Sequence, residues 1–339
     1  MSPIPTVNRA VTAAHVPVML DEVLEQLRLA DGETLVDGTF GAGGYSRAAL
    51  AAAKCNVIAI DRDPNTIRDG QKLVAEYDGR LSLAQGLFSE MTELVGSRAP
   101  VDAVVLDVGV SSMQIDDGAR GFSFMKEGPL DMRMSQAGKS AANVVAELSQ
   151  EDLANVIFVL GEENKSRAIA RAIIAARTET PITTTLQLAK AIERATGPQR
   201  AHMRTHPATR TFQALRIYVN GELEELAKGL HAAETLLREG GRLVVVTFHS
   251  LEDRIVKRFF ASRSAEHAAV SRHTLGMETK LTPTFTLPFR GHLEPAEIEC
   301  DRNPRSRSAK LRVGIRTATP ATPLNFADIG VPSLSTRRH

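Results

Sequence analysis

Residues 34–47 read TLVDGTFGAGGYSR: a short β-prone run that ends in a turn carrying Gly41, Gly43 and Gly44. Residues without a Cβ let a backbone bend sharply and approach a ligand closely, and a helix is expected to begin near Ser46. A second apolar run, 57–60, ends at Asp61. In a strand–helix–strand unit that acid lies beside the glycine turn, where its carboxylate can accept two hydrogen bonds from a ribose. The stretch predicts a site for a nucleotide-type cofactor.

Working outward, strand-like runs bounded by turn residues recur at 34–37, 57–61, 81–84, 103–107, 242–248 and 310–315, with helical patterns between the early ones. Short apolar strands without polar alternation are expected when helices cover both faces of a parallel sheet, which predicts a doubly wound α/β domain binding ligands at the strands' C-terminal ends. The fourth and fifth runs are far apart, and the segment between them is helical in pattern. Ser149 with Asp152 gives a capping signature ahead of 153–160, with Gly161 as a stop. Ile169, Ile173 and Ile174 share one face of a second helix ended before Pro181, and Thr185 can cap a third. A small inserted all-α domain is expected at 115–205, dividing the sheet domain into 1–114 and 206–316. Phe212, Leu215, Val219, Leu223, Leu226 and Leu230 keep helical spacing, predicting one long helix back onto the sheet. Residues 317–339, rich in Pro, Thr and Ser, are expected to form a flexible tail.

A chain of 339 residues with 43% apolar content has room for a sizeable core and is not fibrous or disordered as a whole. No apolar run approaches the roughly 20 residues of a membrane span, and the start lacks a secretory pattern, so a cytoplasmic protein with no membrane partner is expected. Cys55 and Cys300 are too few for a disulfide framework or a zinc motif. The net charge of +1 hides two basic runs. Segment 190–216 carries six basic residues against Glu193 alone, and 302–316 carries six against no acid. Either can meet phosphate or form a solvated face.

G-x-G-G spacing leaves the cofactor open. A pyrophosphate wants three glycines and a helix N-terminus aimed at its charge, whereas S-adenosylmethionine needs close backbone approach, a ribose acid and room for a sulfonium. A second anchor is Asp107, which ends the fourth strand ahead of a loop of small residues and Gln114. Methylation of an exocyclic amine needs an acceptor that holds the NH₂ and turns its nitrogen toward the methyl group, and a strand-end carboxylate suits that task.

The motifs HVPVMLDEVL (15–24), DGTFGAGGYSR (37–47), AIDRDP (59–64), LDVGVSSMQ (106–114), RGFSF and GPLDMRM within 120–134, GEE and RAIARAI within 161–173, HPATRTFQALRIYVNGEL (206–223), TFHSLEDRIVKRF (247–259) and NPRSRSAKLR (303–312) occur in order. Together they make the chain resemble the ribosomal RNA small-subunit methyltransferase H (MraW) family over most of its length. The resemblance implies a class I S-adenosylmethionine-dependent methyltransferase fold, Rossmann-like, with a helical insertion. It also implies methylation of N4 of a cytosine in the decoding region of 16S rRNA, in the small ribosomal subunit or a late precursor. Carried over by motif, cofactor contacts fall on Gly43, Gly44, Tyr45, Asp61, Phe88, Asp107 and Gln114, with Asp107 also catalytic. Two positions depart from the family pattern: Tyr45 where His is common, and Met113 in a loop that usually reads Ser-Ser-Pro-Gln.

RNA phosphates are expected to meet Arg204, His206, Arg210, Arg305 and Arg307, with Phe122 or Phe124 as stacking surfaces for an extruded base. The His-containing stretch 201–207 lacks metal-ligand spacing, and no metal is expected. A nucleotide-dependent oxidoreductase would need a pyrophosphate cradle. A DNA amino-methyltransferase would carry a D-P-P-Y type tetrapeptide where 107–110 read DVGV. A non-catalytic RNA-binding assembly factor would not need the glycines and both acids.

Overall fold

The computed structural model describes residues 17–198, 206–264 and 282–334. The first half contains α1 (Leu20–Leu27), β1 (Thr34–Asp37), α2 (Gly44–Ala52), β2 (Asn56–Asp61), α3 (Pro64–Ala75), β3 (Leu81–Gln85), α4 (Met91–Val95) and β4 (Val101–Asp107). A helical stretch follows: α5 (Ser112–Asp116), α6 (Ala141–Glu147), α7 (Gln150–Gly161), α8 (Ser166–Glu179), α9 (Thr185–Thr196), α10 (Thr209–Asn220) and α11 (Glu222–Leu236). The chain then returns through β5 (Leu237–Thr247), α12 (Ser250–Arg263), β6 (Phe285–Thr286), α13 (Glu297–Arg302), β7 (Lys310–Arg316) and α14 (Phe326–Ile329).

The strands make one sheet in the order β3-β2-β1-β4-β5-β7-β6, parallel from β3 through β5, with β7 antiparallel to both its neighbours. Successive strand residues alternate between two cores. Val36, Ile58, Ile60, Val104 and Leu106 join the cluster under α4, α11 and α12, while Leu35, Val57, Ala59, Ala103 and Val105 join the one under α1 and α2. Because side chains alternate across a strand and both faces are covered, the central positions of β1, β2, β4 and β5 are apolar on both sides. The chain order reverses between β1 and β4, so their C-terminal ends, Asp37 and Asp107, flank the crevice where such sheets bind ligands.

The helices between β4 and β5 gather around a third apolar cluster. It takes in Leu153, Ile157, Ile169, Ile173, Leu188 and Ile192, and also Phe212 and Leu215 of α10. Helix α10 therefore serves both the helical layer and the sheet core, to which it gives Ala214 and Ile217. Ser149 caps α7 as expected, its hydroxyl accepting from the Asp152 N–H. The α9 cap is Thr184 rather than Thr185, and α6, capped by Ser140, was not foreseen.

Two expectations are corrected. The long helix across 212–230 is broken at Gly221, whose left-handed φ of 59° ends α10 and starts α11. Leu223 and Leu226 still reach the core, so the spacing continues across a kink that it cannot reveal. The segment after 316 is not a free tail as far as residue 334. Ile329 is fully buried, Leu324, Phe326, Val331 and Leu334 pack on the sheet core, and Arg263 donates to the Thr322 carbonyl at 3.3 Å. Single apolar anchors supply that docking, and they carry no period.

Candidate active site

A cavity of about 380 Å³ opens at the C-terminal ends of β1, β2 and β4, within the range of roughly 300–1,000 Å³ typical of ligand sites. Its wall includes Gly41, Ala42, Gly44 and Tyr45 of the glycine turn, Asp61, Phe88, Asp107 and Gln114. The structure thus brings together six of the seven residues assigned to the cofactor. Gly43 is not on the wall. A Cβ there would lie 2.8 Å from Leu73 and from the Phe40 ring, so packing beneath the turn requires glycine. Gly44 lines the cavity, and a Cβ on it would overlap the Pro17 ring.

The turn is held from below by Asp37, which the sequence reading left without a role. Its fully buried carboxylate accepts from the Ser46 hydroxyl at 2.7 Å and from the Thr39 N–H at 3.2 Å. Burial pushes its pKa up to about 6. Tyr45 turns its ring into the core and donates its hydroxyl to the Val18 carbonyl, so the first-turn N–H groups of α2 are what it and Gly44 can offer a ligand. That frees the side chain at 45 to differ from the family's usual His.

Asp61 ends β2 with one oxygen accepting from Gly41 N–H at 2.9 Å and the other from Asp63 N–H at 2.8 Å. Each oxygen keeps a lone pair for a ribose hydroxyl, and burial raises the group to about 6. Gln114 is more committed than expected. Its carbonyl accepts from Ser111 N–H and its amide nitrogen donates to Asp63 at 3.0 Å, where Arg120 and Gln136 also converge. Gln114 therefore fixes the loop after β4 as well as lining the cavity, and this tie replaces the rigidity a proline at Met113 would give.

Asp107 is the exception to this web. Its backbone N–H donates to the Thr39 hydroxyl at 2.7 Å, but its side-chain Oδ1 is shut off from solvent with no partner among the described residues. Burial, then the charges of Asp37 and Glu252, push its pKa up to about 8. An orphaned acceptor inside a cavity is costly unless a ligand donor meets it.

Arg216 and Glu222 also stand on the cavity wall, with Glu252 behind it, and none of the three was given a site role from the sequence. Arg216 and Glu222 form a two-point ion pair at 2.9 Å, and Glu252 caps the start of α12, accepting from Phe248 N–H at 2.8 Å. Burial alone would raise Glu252; the His249 imidazole and the Arg216 guanidinium hold it below its usual value. Glu222, His249 and Glu252 stand close enough to share a cation, yet the Arg216 guanidinium already supplies positive charge there.

Of the RNA candidates, Arg305 reaches the cavity rim and pairs with Asp116 at 2.7 Å. Arg307 is exposed, with no partner among the described residues. Arg210 is exposed and donates to the Glu162 carbonyl at 3.0 Å, away from the cavity wall. His206 is half-buried against Glu193 and Phe124 and accepts from Ala208 N–H, so it frames the start of α10. Arg204 lies outside the described residues. Phe124 packs edge-on against Phe212, 5.0 Å between centroids, and Phe122 lies under Arg120, so both serve packing.

A mostly parallel sheet in this order, with a glycine turn and two strand-end carboxylates at its switch point, has the architecture of a class I S-adenosylmethionine-dependent methyltransferase. The chain belongs to the MraW methylase family, whose model matches residues 12–317. It is 55% identical over 314 residues to a ribosomal RNA small subunit methyltransferase H of Methylorubrum extorquens, covering 92% of this chain and 89% of that one. The protein of the same name from Azorhizobium caulinodans is 56% identical over 313 residues, with 92% and 89% covered. That from Parvibaculum lavamentivorans is 51% identical over 324 residues, with 95% of each covered. Among the described residues no helix is long and apolar enough to cross a membrane.

Proposed function

We propose that this chain methylates N4 of a cytosine in the decoding region of 16S rRNA, acting on the small ribosomal subunit or a late precursor. The observation that carries the chemistry is Oδ1 of Asp107, an acceptor on the cavity wall with no donor among the described residues. The name shared by relatives at 51–56% identity supports the RNA substrate.

S-adenosylmethionine supplies an electrophilic methyl on a good leaving group. The protein's task is placement. Asp61 holds the ribose, Phe88 backs the adenine, and the first-turn N–H groups at Gly44 and Tyr45 receive the methionine carboxylate. Asp107 would accept a hydrogen bond from the cytosine amine and turn the nitrogen toward the methyl; as the N–C bond forms and the S–C bond breaks, the amine proton is released to solvent. Because the amine lone pair is delocalised into the ring, a side-chain oxygen that draws on its N–H, from the acid in either protonation state, also makes the nitrogen a better nucleophile. Arg305 and Arg307 hold phosphates at the rim, while Gln114 keeps the intervening loop in place.

The test is mass spectrometry of small-subunit RNA nucleosides from cells with and without this chain. Loss of one N4-methylated cytidine on deletion is expected, restored by the wild-type chain but not by Asp107→Ala. An unchanged nucleoside profile would count against the proposal.

A further inference from the structure

Helix α11 brings Glu225, a second acid of its own beside Glu222, to the cavity wall. Glu225 is 7% exposed and lines the wall beside Gly86 and Phe88. One oxygen accepts from the Ser89 N–H at 2.9 Å and the other from the Ser89 hydroxyl at 2.7 Å. Both partners are neutral, so this buried carboxylate stands on the cavity wall with no cation beside it among the described residues. One helical turn on, Gly229 lies against the Phe88 ring, which a Cβ there would overlap. The two positions clamp the turn that carries Phe88.

The geometry points to Glu225 as the residue that reads the adenine base, accepting a hydrogen bond from its 6-amino group. This rests on the cavity being the S-adenosylmethionine site and on Phe88 backing the adenine. An ionised carboxylate only accepts, and each oxygen has a lone pair left after Ser89. It welcomes an amino group and repels the 6-oxo edge of hypoxanthine or guanine. A group needed only to hold Ser89 could have been a neutral amide. Glu225 thereby selects an adenine nucleoside over an oxo-purine one in a pocket whose aromatic wall stacks on either.

The experiment is calorimetric titration of the full chain with S-adenosylhomocysteine and its deaminated analogue, S-inosylhomocysteine. The wild type is expected to prefer the adenine ligand by about ten- to a hundred-fold, the range for a hydrogen bond to a charged group. In Glu225→Gln the amide can turn its NH₂ to the 6-oxo group, and the preference should shrink to about three-fold or less. Ser89→Ala should keep the wild-type preference, because the carboxylate remains. Equal wild-type affinity for the two ligands, an undiminished preference in Glu225→Gln, or its loss in Ser89→Ala would overturn the assignment. Asp61→Ala tests the underlying site separately: it should weaken both ligands alike, and no change would remove the cavity reading itself.

Discussion

At the scale of single residues, three carboxylates at strand ends divide the work by what each touches. Asp37 is bonded from within the turn, Asp61 is half satisfied, and Asp107 keeps one oxygen bare. Asp107 carries a pH signature. Its folded pKa of about 8 lies above its ordinary value of 3.8, so the folded chain holds a proton that the unfolded chain has released. The resulting stability is complete below the ordinary value and is lost as pH rises through about 8. Between about pH 6 and about pH 8 the ligand-free wild type is therefore expected to lose roughly 2–3 kcal/mol more than Asp107→Asn in urea denaturation. Parallel pH profiles for the two proteins would remove the buried acid from this role. Asp107→Ala, which removes the acceptor altogether, should fold yet lose about two orders of magnitude in turnover, the usual cost of removing one well-placed polar contact to a reacting group.

At the scale of elements, the helices that shape the cavity are set by close backbone approach. Gly229→Ala places a methyl in the Phe88 ring, so a loss of about 1–3 kcal/mol in stability is expected, together with a raised KM for S-adenosylmethionine and little change in kcat. A thermal midpoint and a KM both equal to wild type would show that the ring moves aside freely. Helix α14 docks through Ile329, and Ile329→Ala should cost about 2–5 kcal/mol. A truly free tail would give no change in the urea midpoint. The strands were legible in the sequence because apolar runs covered on both faces leave no polar interruption; five of the six runs land within two residues of the observed bounds, and β5 starts five residues early. The break at Gly221 was not legible, since the spacing resumes in phase beyond it. The docking of 317–334 was not, since it depends on isolated anchors.

At the scale of the whole molecule, the site is the meeting of three segments distant in sequence: the glycine turn and β2 end, the loop after β4, and the α10–α11 corner. Acids that end apolar runs, Asp61 and Asp107, stood out in the sequence. Glu222, Glu225 and Arg216 did not, because a charge on an amphipathic helix looks alike whether it meets solvent or a cavity. The basic runs also split on folding: Arg312 and Lys310 pair with Asp253, Arg216 with Glu222, and Arg307 is left exposed. A variant carrying Arg305→Ala and Arg307→Ala is expected to weaken RNA binding and lower the slope of log affinity against log salt by about 1–2, with affinity for S-adenosylhomocysteine unchanged. An unaltered slope would exclude both as phosphate contacts. The most direct measurement of all is a crystal structure of the chain soaked with S-adenosylhomocysteine. The ribose hydroxyls should bond to Asp61, the adenine should lie against Phe88, and the sulfur should face the Asp107 end of the cavity. A ligand seated elsewhere, or a cavity closed to it, would contradict the account.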